Sequence, residues 1–167
     1  IFGQLVASEN SFDIITWNLK DFPLSSSATI DQVISIIQFL SPDVIALQEI
    51  SNYDAFYELI EDLNSEDTLH DWIGYVANDI DGYIIELAYI VNISTVGILS
   101  APYTMPDADE YYFAGRPPYI LNINFLNDEY FIINNHLKAF DDGYNWRLAA
   151  SIDIENYINS YLSNQKV

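Results

Sequence analysis

Two hydrophobic periods follow one another along this 167-residue chain, and their order limits the folds open to it. Short apolar runs at 12–17 and 44–47 are each followed by an amphipathic helical pattern, around 30–37 and 56–63. From residue 71 the period shortens toward two, and a last helix is predicted at 144–162. The strands predicted in this second part cover 72–76, 83–91, 95–99, 119–125 and 130–134.

This order predicts an α/β (α+β) domain with a mixed, mostly antiparallel sheet and helices on one face. The segments 83–91 and 95–99 are predicted to form a hairpin-like pair. Asn127 and Asp128 form a tight turn that pairs 119–125 with 130–134. Residues 1–11 show no period and are interpreted as a lead-in to a single domain over 12–167.

The charge of the chain is strongly negative, with 25 acidic against 5 basic residues and a formal net charge of −20. Such a surface repels nucleic acid and anionic membranes. Four of the five bases, however, lie at or near a predicted strand end or helix start: Lys20, Arg116, Lys138 and Arg147. If strand ends converge, these residues form a cationic patch; the alternative is an accidental grouping.

Cysteine is absent, which excludes disulfides, thiolate metal sites and a thiol nucleophile. No apolar run approaches the ~20 residues that span a bilayer. The compartment stays open, and the first residue, Ile1, slightly favours a processed, secreted protein over a cytoplasmic one.

Polar groups at predicted strand ends make up the candidate site. Asn18 follows the first strand, Glu49 the second, and His136 the last, which ends in a histidine and a lysine. Metal-assisted phosphoryl chemistry uses the same kinds of group: a carboxylate for a divalent cation, an amide, a guanidinium that binds phosphate, here that of Arg116, and an imidazole. An isolated glutamate can equally be a helix cap or a solvated side chain. No P-loop, dinucleotide glycine motif or nucleophile-elbow serine is present.

Four motifs occur in an order that resembles the endonuclease/exonuclease/phosphatase family, which includes deoxyribonuclease I. They are Asp-Ile-Ile-Thr-Trp-Asn at 13–18, Asp-Val-Ile-Ala-Leu-Gln-Glu at 43–49, Gly-Arg-Pro-Pro at 115–118 and Asn-Asn-His-Leu-Lys-Ala at 134–139. The resemblance covers about residues 12–150 and implies a four-layered α/β sandwich.

The resemblance also implies a role for each matching residue. Glu49 is similar to the family's main Mg²⁺-binding carboxylate and Asn18 to the amide beside it, with Mn²⁺ or Ca²⁺ as alternative ions. Arg116 is similar to the residue that holds phosphate, and His136 to the catalytic histidine. Tyr83 resembles a tyrosine that hydrogen-bonds the phosphate, although a tyrosine entering a strand is commonly a core or rim residue.

Lys20 and Lys138 occupy positions suited to contacts with the substrate backbone, and both can also be ordinary surface lysines. The glutamate that supports the histidine in deoxyribonuclease I has no counterpart, because its position is occupied by Ile85 and Glu86 faces the other way.

The family's later motifs, Gly-Asp-Xaa-Asn and a closing Asp-His, are missing from this sequence. The chain therefore resembles the N-terminal half of the domain, and we expect Val167 not to be the natural end of the functional unit. We expect an open apolar sheet face, completed by a C-terminal half or a second chain, and no activity without it.

The sequence thus predicts a Mg²⁺-dependent phosphodiester hydrolase, foremost a nuclease that binds nucleic acid. One alternative is a phospholipid or sugar phosphodiesterase, or a phosphatase, of the same family. Another is a non-catalytic fold relative that pairs with a second chain.

Overall fold

The computed structural model describes residues 11–24, 27–77 and 85–167. Most of the predicted lead-in, the turn at 78–82 and the predicted site residue Tyr83 lie outside these residues. The described elements, in chain order, are β1 (Ile14–Phe22), α1 (Ser27–Leu40), β2 (Val44–Ile50), α2 (Tyr53–Glu66), β3 (Trp72–Val76), β4 (Glu86–Asn92), β5 (Gly97–Thr104), β6 (Tyr119–Phe125), β7 (Asp128–Asn134) and α3 (Tyr144–Tyr161).

The first sheet has the strand order β1-β2-β4-β3. β1 and β2 are parallel and are joined through α1, whereas β4 runs antiparallel to both β2 and β3. The predicted helical spacing of Ile30, Val33, Ile34 and Ile37 is the buried face of α1. Asn52 caps the start of α2, and its side chain accepts a hydrogen bond from the Ala55 backbone N–H.

The second sheet is an antiparallel meander of β5, β6 and β7. β6 and β7 pair as predicted, but Phe125 pairs with Asp128, so the turn residues are Leu126 and Asn127. Both have positive φ, 48° and 71°, as a two-residue hairpin turn requires. The turn therefore lies one residue earlier than expected.

The two sheets pack face to face, with helices outside both of them. One core cluster lies between the first sheet and helices α1 and α2, a second between the sheets, and a third between the second sheet and α3. The α/β class and the half-sandwich are thus confirmed. The helices, however, lie on both sides, and the inner sheet face that we expected to be open is covered by the second sheet.

The predicted hairpin-like pairing of 83–91 with 95–99 is wrong. β4 pairs with β2 and β3, and β5 pairs with β6 in the other sheet. The connection after Asn92 therefore crosses from one sheet to the other. Every residue of β4 is buried, because this strand is covered by strands on both sides and by a layer on each face. No described helix has the length and apolarity to cross a membrane.

Tyr89 on β4 connects the two sheets. Its side chain is fully buried, and its hydroxyl lies 2.8 Å from the carbonyl oxygens of Tyr119 and Ile132, to which it donates. Burial raises the pKa of this tyrosine well above its usual value, so the hydroxyl stays protonated and remains a donor.

We expect Tyr89→Phe to lower the free energy of unfolding by about 1 kcal/mol, because the packing is kept and only the hydrogen bond is lost. Urea denaturation of the purified chain measures this change. Tyr57→Phe on α2, where the side chain is half exposed, is the matched control and should be neutral. Equal stability of the two variants would contradict the bridging role.

Candidate active site

Glu49 stands at an irregularity near the end of β2. The pairing register with β4 shifts between Gln48 and Ile50, and Glu49 itself has φ 66°. For a residue other than glycine this conformation costs about 1–2 kcal/mol, and its effect is to turn the carboxylate out of the ladder. The Asn18 amide donates to Oε1 at 2.8 Å and the Asp21 backbone N–H to Oε2 at 3.2 Å.

Asn18 is oriented by its own backbone turn. Its Oδ1 accepts a hydrogen bond from the Lys20 backbone N–H at 2.8 Å, so the amide nitrogen is the group that faces Glu49. The Lys20 side chain is exposed, and Lys20 and Asp21 both have positive φ. The end of β1 is thus wound around the Glu49 carboxylate, and Asn18 is placed to orient it.

His136 follows the end of β7 and comes from the second sheet. Its Nε2 lies 3.5 Å from Glu49 Oε1. Burial lowers the pKa of His136, the nearby Arg116 guanidinium lowers it further, and the Glu49 carboxylate acts in the opposite direction. The imidazole is therefore neutral at pH 7, and its contact with Glu49 is not an ion pair there.

Two nitrogen atoms at this site are buried without a hydrogen-bond partner within the described chain, Arg116 Nε and His136 Nδ1. A buried N–H group left unpaired costs about 1–3 kcal/mol, so the Arg116 guanidinium is a group that a bound anion would satisfy. Arg116 lies in the loop between β5 and β6, close enough to His136 to lower its pKa, so the structure brings these two residues together beside Glu49.

Lys138 and Arg147, the other two cations of the predicted patch near His136, bind groups in the loop after His136 instead of the Glu49 carboxylate. Lys138 lies 3.5 Å from Asp142, with its ammonium 5.4 Å from the centre of the Trp146 ring. Arg147 donates from Nη1 to the carbonyl oxygens of Lys138 and Phe140, both at 2.7 Å. A Cβ on Gly143 would come within 2.9 Å of the Lys138 carbonyl oxygen, a backbone atom that cannot easily shift, so glycine is needed there. Arg147 therefore holds the loop after His136.

A buried pair of amides beneath the site was not assigned by the sequence analysis. Gln48 Nε2 donates to Asn134 Oδ1 at 2.8 Å, and Asn134 Nδ2 donates to the carbonyl oxygens of Leu47 at 2.8 Å and Ala88 at 3.1 Å. This pair joins the two sheets directly next to Glu49 and two residues before His136. Its sequence signal is a polar residue at the end of each of two apolar runs, a pattern that a turn would also produce.

The donor set fits a hard divalent cation with few protein ligands. No group of three potential metal-ligating side chains occurs within 11–24, 27–77 and 85–167. Mg²⁺ usually takes one or two carboxylates and keeps several waters. The Glu49 oxygens each accept one hydrogen bond and keep a lone pair, so this carboxylate suits such a site, with Asn18 orienting it.

The pH dependence of His136 follows from its lowered pKa. The unfolded chain takes up this proton near pH 6.5, whereas the folded chain does so only at lower pH. The stability contributed by the neutral imidazole is therefore fully present above pH 6.5 and is lost as the pH falls through the folded-state pKa.

We expect an NMR titration of the metal-free protein, kept in chelator, to place the His136 midpoint below 6.5. Glu49→Gln should lower the midpoint further, and Arg116→Gln should raise it, since these two charges act in opposite directions. A midpoint above 6.5 in the unaltered protein would refute this account of the site.

We expect Asn134→Ala to lower the free energy of unfolding by about 2 kcal/mol, because it leaves buried polar partners unsatisfied in both sheets. Urea denaturation checks this expectation. Asn159→Ala, at an exposed position of α3, is the control and should change stability by no more than about 0.5 kcal/mol. A neutral Asn134→Ala would show that the amide pair does not hold the sheets together.

Comparison with known proteins gives matches by structure alone. No family model and no curated protein matches the sequence. A truncated TDP2 from Caenorhabditis elegans matches with a TM-score of 0.68 and 19% identity over 92% of this chain and 57% of that one. The human nocturnin catalytic domain matches with a TM-score of 0.63 and 16% identity over 89% and 58%.

An endonuclease/exonuclease/phosphatase family protein from Leptotrichia buccalis matches with a TM-score of 0.64 and 18% identity, over 89% of this chain and 61% of its own. The chain thus spans a little more than half the length of these proteins. Identities this low establish the fold alone: the chain has the deoxyribonuclease I-like fold of the endonuclease/exonuclease/phosphatase family and covers about half of it.

Proposed function

We propose that this chain provides half of the active site of a Mg²⁺-dependent phosphodiester hydrolase, and that the enzyme is a nuclease. One observation carries the proposal: residues from both sheets meet at the Glu49 carboxylate. The Asn18 amide lies 2.8 Å and the His136 Nε2 3.5 Å from its Oε1. Packing alone requires none of these side chains at this place.

Each residue has a role in the proposed reaction. Glu49 holds the cation, which when bound supplies positive charge to the phosphate oxygens. Asn18 orients the carboxylate, and Arg116 binds the phosphate through its guanidinium, whose Nε has no partner among the described residues. His136 donates a ring N–H hydrogen bond to the phosphate, or, once the negative charge of the bound phosphate has raised its pKa and protonated it, gives that proton to the leaving oxygen as water attacks phosphorus and the P–O bond breaks. Lys20 and Lys138 contact the substrate backbone.

Tyr83 is proposed as an additional phosphate contact from the resemblance alone. The base that activates water is not among the residues assembled here, and we propose that the completing half of the fold supplies it.

An apolar groove supports the need for a completing polypeptide. β1 and β7 are edge strands of their sheets, and a groove of about 390 Å³ lies between them, lined by residues such as Ile14, Ile132 and Ile158. Ile14 is 46% exposed. The Phe131 N–H already donates to the Lys166 carbonyl at 2.8 Å in a parallel bridge, so this edge accepts a parallel strand. We propose that a C-terminal half or a second chain continues both sheets here.

The choice of nucleic acid as substrate is supported by one of the structural matches, a D. rerio TDP2 that was solved with a single-strand DNA product. Another match, ANGEL2, is a 2′,3′-cyclic phosphatase. The net charge of −20 favours the second candidate, a phospholipid or sugar phosphodiesterase or a phosphatase, since few cations are available for a polyanion. Steep loss of affinity with salt would indicate a long nucleic acid, and a shallow dependence a small substrate.

Metal binding gives a test that does not depend on turnover. With substoichiometric Mn²⁺ as the probe, we expect the His136 ring protons to broaden in the NMR spectrum. Glu49→Gln should abolish the broadening, because the carboxylate is the proposed ligand. Glu58→Gln, on the exposed face of α2, is the control and should leave the broadening unchanged. Absence of Mn²⁺ or Mg²⁺ binding would instead favour a non-catalytic fold relative.

Activity of the complete protein is the second measurement. Glu49→Gln and His136→Ala should each lower Mg²⁺-dependent phosphodiester cleavage by at least about 100-fold, in the range expected for a positioned acid or a metal ligand. Cleavage within tenfold of the unaltered rate would remove the residue in question from the mechanism.

A further inference from the structure

Exposed aromatic rings lie beside the candidate active site and have no role in the chemistry proposed above. Tyr111 is 62% exposed, and its ring centre lies 4.3 Å from that of the half-buried Trp146. Phe140 is 84% exposed. We call these three residues the aromatic shelf.

The aromatic shelf is linked to the site through short stretches of the chain. Lys138, whose ammonium covers the Trp146 ring, is two residues after His136, so their Cα atoms lie within about 7 Å of each other. On the other side, the Gly115 N–H donates to the Glu110 carbonyl, which closes the turn between Tyr111 and Arg116. The shelf is thus attached to both the histidine and the proposed phosphate ligand.

Tyr111 is held in place despite its exposure. Its backbone N–H donates to Asp109 Oδ1, and the Asp109 N–H donates to Asp153 Oδ2 on α3, both at 3.1 Å. This fastens the loop to the helix that carries Trp146. An exposed ring on a fixed backbone loses little entropy when a planar ligand stacks on it.

Phe140 is not explained by stability. It has φ 65°, a conformation that glycine adopts at no steric cost and a phenylalanine does not. Because the side chain is almost fully exposed, packing within the described chain does not offset this cost. A ligand that contacts the ring would account for an aromatic residue here.

The charges around the aromatic shelf are unfavourable for a long polyanion. Asp109 and Glu110 precede Tyr111, and Asp141 and Asp142 follow Phe140. Of the nearby cations, Lys138 is paired with Asp142 and lies over the Trp146 ring, and Arg147 binds the carbonyl oxygens of Lys138 and Phe140. A second cation has no free face there, whereas a neutral ring can stack on Tyr111 and Phe140 because stacking needs no charge.

We propose that the aromatic shelf stacks an unpaired base next to the scissile phosphate, so that the substrate is a short single-stranded or terminal nucleotide segment rather than a duplex. This inference rests on the proposed function and narrows its substrate class. Base stacking adds to the few phosphate contacts that Arg116, Lys20 and Lys138 can make, and a base already stacked inside a duplex has no free face to offer the shelf.

Binding is measured by fluorine NMR on protein labelled with 5-fluorotryptophan. A chelator is present throughout and prevents cleavage. The chain has three tryptophans, and Trp146→Phe assigns the resonance of Trp146. The probes are single-stranded tetrathymidylate, the same oligomer with abasic sugars, a hairpin duplex and phosphocholine. We expect tetrathymidylate to shift the Trp146 resonance and to bind about 5- to 150-fold more tightly than the abasic oligomer.

Tyr111→Ala should weaken tetrathymidylate binding by a similar factor. The matched control is Tyr161→Ala, since Tyr161 is 67% exposed, rests on Tyr157 and lies at the other end of α3; it should bind normally. Phe140→Gly should weaken binding without lowering the melting temperature, a combination that a purely structural role does not produce. With at most three phosphates contacted, by Arg116, Lys20 and Lys138, raising salt from 50 to 200 mM should weaken binding by no more than about 20-fold.

The inference is overturned if the abasic oligomer or the hairpin binds as tightly as tetrathymidylate, if Tyr111→Ala and Tyr161→Ala behave alike, or if phosphocholine moves the Trp146 resonance at lower concentration. Failure of the proposed function is a separate outcome. If the abasic oligomer is cleaved as fast as tetrathymidylate and the cleavage requires Glu49, the proposed hydrolase activity stands and the proposed base stacking is wrong. If binding requires the base but no cleavage depends on Glu49, the proposed base stacking stands and the proposed hydrolase activity is wrong.

Discussion

The hydrogen bond between Gln48 and Asn134 is the contact on which the site geometry depends. It is buried, it joins one strand of each sheet, and Asn134 also binds two carbonyl oxygens of the first sheet. Two apolar sheet faces can slide over each other at little cost, whereas a buried amide pair is satisfied in one register only. Because Glu49 follows Gln48 and His136 lies two residues beyond Asn134, fixing this register fixes the distance between the carboxylate and the imidazole.

Local patterns predicted the parts of the fold that local interactions determine. The α1 face and the β6–β7 pairing depend on residues that are near in sequence, and both formed as expected. The partners of β4 and β5 could not be predicted in this way. An apolar strand that is buried on all sides has the same pattern whichever sheet it joins, so the crossing after Asn92 leaves no periodic signal.

The candidate site followed from a simple rule, that strand ends converge, and the rule placed Asn18, Glu49 and His136 correctly relative to one another. It could not show that Arg147 binds backbone carbonyls, since a basic residue at a helix start has the same sequence signal in either role. It also gave no sign of the bulge at Glu49. Positive φ at a glutamate is imposed by the surrounding pairing and has no signature in residue type.

The net charge of the chain and the local environment of the candidate site have opposite effects on the pKa of a histidine. A charge of −20 would raise the pKa of an average histidine, yet burial and one guanidinium lower that of His136. Surface carboxylates act through water and are screened within about 8–10 Å, whereas burial and a neighbouring charge act directly on the imidazole. The acidic surface therefore bears on how a charged molecule approaches the candidate site. The protonation of the imidazole there depends on its burial and on two neighbours, Arg116 and Glu49.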